Sequence, residues 1–317
     1  MISHIFIFIF SCGLLFLSGR WLVNSLTGIA RFLKWREFVV AFVIVSLAVS
    51  IPNLFLGISS AIHKIPQLSF GDIMGGNLVD LTIILALTTL FSKGISTESR
   101  MIQTSAIFTM AIAILPLLLI LDGILGRGDG IILILFFFFY IFWLFSKKER
   151  FSKIYNNKKG PIFKSFRNFI LDLGRLGLGI IPLLIASEGI VRSSQFFAKS
   201  FDLPIAMVGI LIVGLGNTIP EAYFSILSAK KGQTWMILGG LMGSIIVGTT
   251  LVLGTVSLIC PIEIISLPSF VVARAFLIIS ALFFFFFVRT NQEVTRKEAL
   301  FLLGLYILFV IAEVLVK

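Results

Sequence analysis

Apolar runs long enough to cross a bilayer recur along the chain, separated by short polar breaks. A spanning helix needs about 20 mostly apolar residues. About ten segments meet that pattern: 3–28, 38–62, 69–92, 102–121, 130–146, 168–196, 204–229, 235–258, 269–289 and 298–316. The predicted fold class is therefore an all-α polytopic membrane protein with about ten transmembrane helices. The first apolar run, ISHIFIFIFSCGLLFL, lacks a basic leader and a small-residue cleavage site, so it reads as the first span and not as a removed signal.

The polar breaks carry the orientation. The one long break, KKERFSKIYNNKKGPIFKSFR (147–167), is strongly basic, which places it in the cytoplasm. Alternate breaks should then be cytoplasmic too, and they hold Arg31, Lys34 and Arg36; Lys93 and Arg100; Lys230 and Lys231; Arg289, Arg296 and Lys297. The opposite breaks hold mainly Lys64, Arg127, Arg192 and Lys199. Both termini are expected outside, and the expected location is a prokaryotic-type plasma membrane.

Comparing the halves reveals a repeat. VSLAVSIPNLFLGISSA (45–61) lies over VGLGNTIPEAYFSILSA (213–229) at a shift of 168 residues (213 − 45). The same shift lays GDIMGGNLVDLTIILA (71–86) over GGLMGSIIVGTTLVLG (239–254), and SGRWLVNS (18–25) more weakly over ASEGIVRS (186–193). The expected organisation is one five-helix repeat over 1–146, the basic cytoplasmic linker 147–167, and a second five-helix repeat over 168–317. An odd number of spans per repeat inverts one half relative to the other. Inverted repeats of this kind are the architecture of many secondary transporters, with binding sites near the midplane between the halves.

Composition agrees with the spans. Of 317 residues, 58% are hydrophobic and 13% charged, against roughly 45–50% and about 25% in soluble domains. The net charge of +11 follows the topology of the loops, so nucleic-acid binding is not expected; the expected partners are inorganic cations and membrane lipid. Oligomeric state is not legible. Cys12 and Cys260 show no metal-ligand spacing. With only His4 and His63 as histidines, nothing suggests zinc or copper. No nucleophile–base pair points to an enzyme, and no cofactor is expected. The phenylalanine runs 136–139 and 283–287 read as lipid-facing or packing bulk.

The chemistry should sit where the apolar monotony breaks. Pro52 and Pro220 occupy equivalent positions, as do the glycine-rich stretches 71–76 and 239–243. Proline withholds an N–H from the carbonyl one turn back. At membrane depth such carbonyls are tolerated only inside protein or beside water. The acids fall at these breaks: Glu221 follows Pro220, and Asp80 follows Gly75 by five residues. An acid inside a span costs roughly 2.5–3.5 kcal/mol on insertion scales, which a bound cation or a proton offsets. Hard cations take oxygen ligands, and the candidate metal ligands are Glu221, Asp80, Asn53, Ser50, Asn77, Asn217, Thr218 and Ser244. Each has a structural alternative: a neutral acid in the bundle, amide glue between helices, or a hydroxyl bonded to its own helix. Asp72 is read as a helix-start acid suited to the dipole. Arg20 and Glu188, at equivalent repeat positions, read as structural.

At these residues the sequence resembles the cation/calcium exchanger superfamily, the sodium/calcium and proton/calcium antiporters. The second repeat offers GNTIPE (216–221) and GGLMGSIIVG (239–248), and the first AVSIPN (48–53) and GDIMGGNLVD (71–80). RGDG (127–130) and GLLFLSGRWLV also fit. The resemblance implies ten helices and alternating access to a central cation site, with the first and sixth helices sliding against the rest. It implies transported calcium with sodium or protons as counter-ions. In the first repeat, Asn53 follows the proline and Asp80 stands on the partner helix, as if acid and amide had changed places. In the second repeat, Gly248 stands where the family pattern has Asn or Asp. Two functions follow as expectations: a secondary-active antiporter exporting calcium, or a degenerate homologue that binds a cation or partner without coupled exchange.

Overall fold

The structure is a computed structural model that describes residues 2–32, 46–92, 94–146, 162–230, 234–264, 268–290 and 292–316. Helices dominate it, as they must wherever lipid leaves the backbone no other hydrogen-bond partner. In chain order they are α1 (Ile2–Phe32), α2 (Ser46–Ile62), α3 (Pro66–Ser92), α4 (Arg100–Leu119), α5 (Arg127–Ser146), α6 (Ile162–Ser200), α7 (Ile205–Lys230), α8 (Thr234–Ile259), α9 (Pro268–Arg289) and α10 (Arg296–Val316). They coincide with the ten expected segments, and most differences are a few residues at the ends. Residues 38–45 of the second expected span lie outside the described residues, as do 147–161 of the expected linker. Helix α6 already begins at Ile162, inside the stretch read as linker. Among the described residues six helices are long and apolar enough to cross a membrane by length and composition, and parts of α1 and α2 form shorter apolar helices.

Local chemistry sets the element ends. Pro66 opens α3, where its fixed φ costs nothing and its missing N–H is not needed. After α4 a short 3-10 turn closes on Gly123, whose φ of 91° a side chain would resist. Both fifth helices start with an acid that reaches back. Gly126 N–H donates to Asp129 Oδ2 at 2.8 Å ahead of α5, and Thr295 N–H donates to Glu298 Oε2 at 2.7 Å ahead of α10. The second is a capping box, since the Glu298 N–H in turn reaches the Thr295 hydroxyl at 3.4 Å.

The two halves interlock. Helix α5 packs on the end of α8, and its counterpart α10 packs on the end of α3; α4 packs on α8, and α9 on α3. The short strands obey the same exchange, Ile95–Ser96 pairing antiparallel with Glu293–Val294, and Ile124–Leu125 with Ile262–Glu263. Each half therefore closes over the central helix of the other, as two inverted repeats do. The most buried spans are α8 and α3, with α7 against them. Helices α1 and α6 pack together at one side. Outward surfaces are apolar and rich in exposed phenylalanine, such as Phe136, Phe138, Phe142 and Phe286. Phe137 and Phe284, from the same runs, are buried, so those runs serve both lipid contact and packing.

Interruptions recur at the repeat spacing as well. Single π turns span Asp80–Ile84 in α3 and Gly248–Val252 in α8, 168 residues apart. Within each, a threonine hydroxyl donates to the carbonyl four residues back, Thr82 to Leu78 and Thr250 to Ile246. Such turns inside helices frequently mark functional sites. Helix α7 carries a further π turn at Gly209–Val213 and breaks at Thr218, just before Pro220.

Candidate cation site

Helices α3 and α7 run side by side in the same direction, and glycine lets them touch. A Cβ on Gly209 would lie 2.6 Å from the Leu68 carbonyl oxygen and 2.9 Å from Gly71 Cα; one on Gly214 would lie 2.8 Å from the Gly76 nitrogen. Gly71 and Gly75 likewise face the backbone of Ala206 and Ile210. The backbones meet with no side chain between them, which is the role of small residues in membrane helix packing.

Close contact brings two polar stripes together. On α3, Asp72, Gly76 and Asp80 recur every four residues along one face; on α7, Gly214, Asn217, Thr218 and Glu221 share a face at three- and four-residue spacings. Between them lies a narrow cavity, which Asn53 from α2 and Ser244 from α8 complete. Asn77 and Ile73 also line it. Seven of the eight candidate ligands thus surround one space: Glu221, Asp80, Asn53, Asn77, Asn217, Thr218 and Ser244. Ser50 is buried with its hydroxyl unpartnered among the described residues, and it is not among the residues lining the cavity.

The polar groups are only partly satisfied. Ser244 donates to Asp80 Oδ2 at 2.9 Å, with the Leu241 carbonyl 3.0 Å away as a rival acceptor. Asn77 Nδ2 donates to Thr249 Oγ1 at 2.8 Å, tying α3 to α8. Thr218 returns its hydroxyl to the Gly214 carbonyl at 3.0 Å, the bland role open to any helical threonine. Asp80 Oδ1 and Glu221 Oε2 are buried without a hydrogen-bond partner among the described residues. Glu221, Asp80 and Asp72 all line this one cavity. Buried carboxylate oxygens lacking donors are costly by several kcal/mol unless a cation or proton meets them, so the arrangement suits a hard cation with oxygen ligands.

One feature departs from the sequence reading. Asp72 does not begin a helix: α3 starts at Pro66, a turn and a half earlier, and Asp72 is 2% exposed on the cavity wall. The helix-start reading failed because Pro66 was not credited as an N-terminal residue. At Gly248, which offers no side-chain ligand, a Cβ would lie 3.2 Å from Ile73 Cδ1, so the tip of that side chain would have to shift by a few tenths of an ångström. Away from the cavity, Glu188 fills a structural role. It accepts from Arg192 at 2.7 Å and Ser59 at 3.2 Å and pairs with His63 at 3.3 Å, linking α6 to the end of α2. The Arg20 side chain lies outside the described residues.

Comparison with known proteins follows the same lines. The model of the sodium/calcium exchanger protein family matches residues 3–146 and 172–315. The chain is 24% identical over 336 residues to the sodium/calcium exchanger MaX1 of Methanosarcina acetivorans, covering 94% of this chain and 95% of that one. It is 23% identical to an uncharacterized membrane protein of Methanocaldococcus jannaschii, covering 95% of each. Among solved structures, the sodium-calcium exchanger NCX_Mj superposes with a TM-score of 0.69 at 23% identity, over 98% of both chains.

Proposed function

The chain belongs to the sodium/calcium exchanger protein family, and from that premise we propose that it is a secondary-active antiporter exporting calcium against an inward sodium or proton gradient. The observation that carries this reading is the meeting of Asp80 and Glu221, one acid from each repeat, at one cavity with an unpartnered oxygen on each. Two carboxylates balance one divalent ion, and the nearby Asn53, Asn77, Asn217 and Ser244 offer further oxygens. Counter-ions compete for the same oxygens. A site left empty keeps its charges, and crossing the midplane in that form is costly, so exchange is favoured over leak. Access then alternates as one inverted half rocks against the other, with α1 and α6 as the moving pair. The loop charges support a topology with both termini outside and residues 147–167 in the cytoplasm.

The test is calcium flux into proteoliposomes under imposed sodium or proton gradients, comparing the parent with Glu221→Gln and Asp80→Asn. Each substitution removes one of two charges facing the ion, and flux should fall by at least about tenfold. Unchanged flux in both variants sinks the site assignment. A second reading, a homologue that binds calcium without coupled exchange, draws on the absence of a side-chain ligand at Gly248. Calcium binding by the parent with no gradient-driven flux would favour it.

A further inference from the structure

Far from the cavity, one histidine ring is caught between two acceptors where the α1–α6 pair meets the rest of the bundle. Helix α1 packs mainly on α6. Their apolar contacts belong to a second cluster, around Leu15, Leu183, Ala186 and Ile190, apart from the main core. Among the described residues, the side-chain hydrogen bonds and ion pairs that reach from this pair to other helices end on Glu188. Ser59 Oγ donates to its Oε2 at 3.2 Å, and His63 Nε2 lies 3.3 Å from its Oε1. The other ring nitrogen, His63 Nδ1, lies 2.8 Å from the Ser59 carbonyl oxygen. A neutral imidazole has one N–H and one bare lone pair. Either neutral tautomer would therefore aim a lone pair at an acceptor, the carbonyl in one case and the carboxylate in the other. Only the doubly protonated ring donates at both ends, so this geometry belongs to a charged His63.

Arg192 makes the tie reversible. Its Nε donates to the same Glu188 Oε1 at 2.7 Å from one turn along α6. When His63 loses its proton, Glu188 keeps a cation on its own helix. The link between helices is lost while the charge within α6 stays paired. Few other charges come near from the elements packed here. Lys64 follows His63 in the exposed turn, and α1 brings His4, whose ring stacks on Phe196 two turns further along α6. Helix α3 carries no charge before Asp72, α7 none before Glu221, and α8 none. A plain structural bridge would account for the Glu188 contacts, but it gives no reason for a ring with an acceptor at each nitrogen.

We propose that His63 and Glu188 form a proton-operated latch: the doubly protonated ring holds the α1–α6 pair against α2, and loss of one proton releases it. The latched arrangement holds one proton more than the released one. It therefore gains as pH falls and is lost as pH rises through the range where histidine changes charge, about pH 5–8. Both side chains are 33% exposed, and ion pairs so placed support shifts of about two- to fivefold. The inference rests on the antiporter reading only where motion of α1 and α6 is taken to limit exchange; the latch itself is read without it.

The experiment uses the full chain with Cys12→Ser and Cys260→Ser, purified in detergent. Nitroxide labels go on Arg127→Cys and Lys199→Cys, exposed positions on α5 and α6 away from the latch. Pulsed electron paramagnetic resonance reads the distance between them at about pH 5.5 and about pH 8. One distance should dominate at the lower pH, and a second should gain about two- to fivefold on it at the higher. His63→Gln, a hydrogen-bonding side chain that does not titrate, should give the same distances at both. A parent distribution that ignores pH overturns the latch, and a pH response that survives in His63→Gln overturns its assignment to this ring. Glu188→Gln removes the anion, should lose the pH response as well, and decides the matter if His63→Gln does not fold. A second arm measures sodium-driven calcium flux in proteoliposomes with equal pH on both faces. Flux should rise about two- to fivefold over the same pH interval in the parent and stay level in His63→Gln. Flux that responds alike in both proteins overturns the link to transport. A parent that shows the distance change and no flux sinks the antiporter reading and leaves the latch standing.

Discussion

A single serine hydroxyl is the one described hydrogen-bond donor to Asp80, and it can give its proton to only one acceptor at a time. At the scale of residues the two acids are thus short of donors among the described residues, which is the feature the proposed cation site rests on. The position of Ile73 shows how closely side-chain volume governs the ligand set. Its Cδ1 would lie 3.2 Å from a Cβ at position 248, so it must give a little before any side chain fits there. We expect Gly248→Asp alone to bind calcium no better than the parent, because its Cβ crowds the Ile73 side chain. Combined with Ile73→Ala, it should bind calcium more tightly than the single Gly248→Asp variant does, as isothermal titration would report. Equal affinities would mean that position 248 does not reach the ion.

Among the elements, the contact between α3 and α7 decides whether the site exists. Both polar stripes depend on backbones meeting where a methyl group has no room. A Cβ at Gly75 would lie 2.8 Å from the Ile210 carbonyl carbon, and a backbone cannot swing aside as a side chain end can. Gly75→Ala should destabilise the protein by about 1–3 kcal/mol or more, read as a lowered thermal midpoint in detergent with loss of calcium binding. Gly304→Ala in α10 is the control, since a Cβ there meets nothing within 4 Å. It should be neutral or gain up to about 1 kcal/mol from helix propensity. A drop at Gly304 as large as that at Gly75 would show that helix packing in general, and not this crossing, is the sensitive feature.

For the whole molecule, interlocking means that neither half buries its own central helix without the other's outer helices. The strand pairs exchange in the same way, so the two repeats are expected to assemble together. Orientation is testable directly. In a chain with Cys12→Ser and Cys260→Ser, a membrane-impermeant thiol reagent added outside should label Lys64→Cys, which sits in the exposed turn between α2 and α3. Lys230→Cys, exposed at the end of α7, should label only after the membrane is opened. Labelling of Lys230→Cys from outside would invert the topology.

The number of helices, their approximate limits and their duplication were legible along the chain. In lipid a helix satisfies its own backbone, so apolar length alone decides where a span lies, and the 168-residue shift exposes the repeat without reference to contacts. Glu221 and Asp80 were legible for a related reason, since an acid inside a span is costly wherever it points. What each acid faces was not. Hydrogen bonds join Asp72 to Asn217 across 145 positions, Asp80 to Ser244 across 164, and Asn77 to Thr249 across 172. Those meetings depend on the rotation and depth of α3 against α7 and α8, which the glycine contacts set and no local pattern records. The sequence alone established ten spans, two repeats and two costly acids. Only the packing of α3 on α7 turned Asp72 from a helix-start acid into a third carboxylate on the same cavity, because side-chain neighbours in a bundle are chosen by helix–helix approach and not by position along the chain.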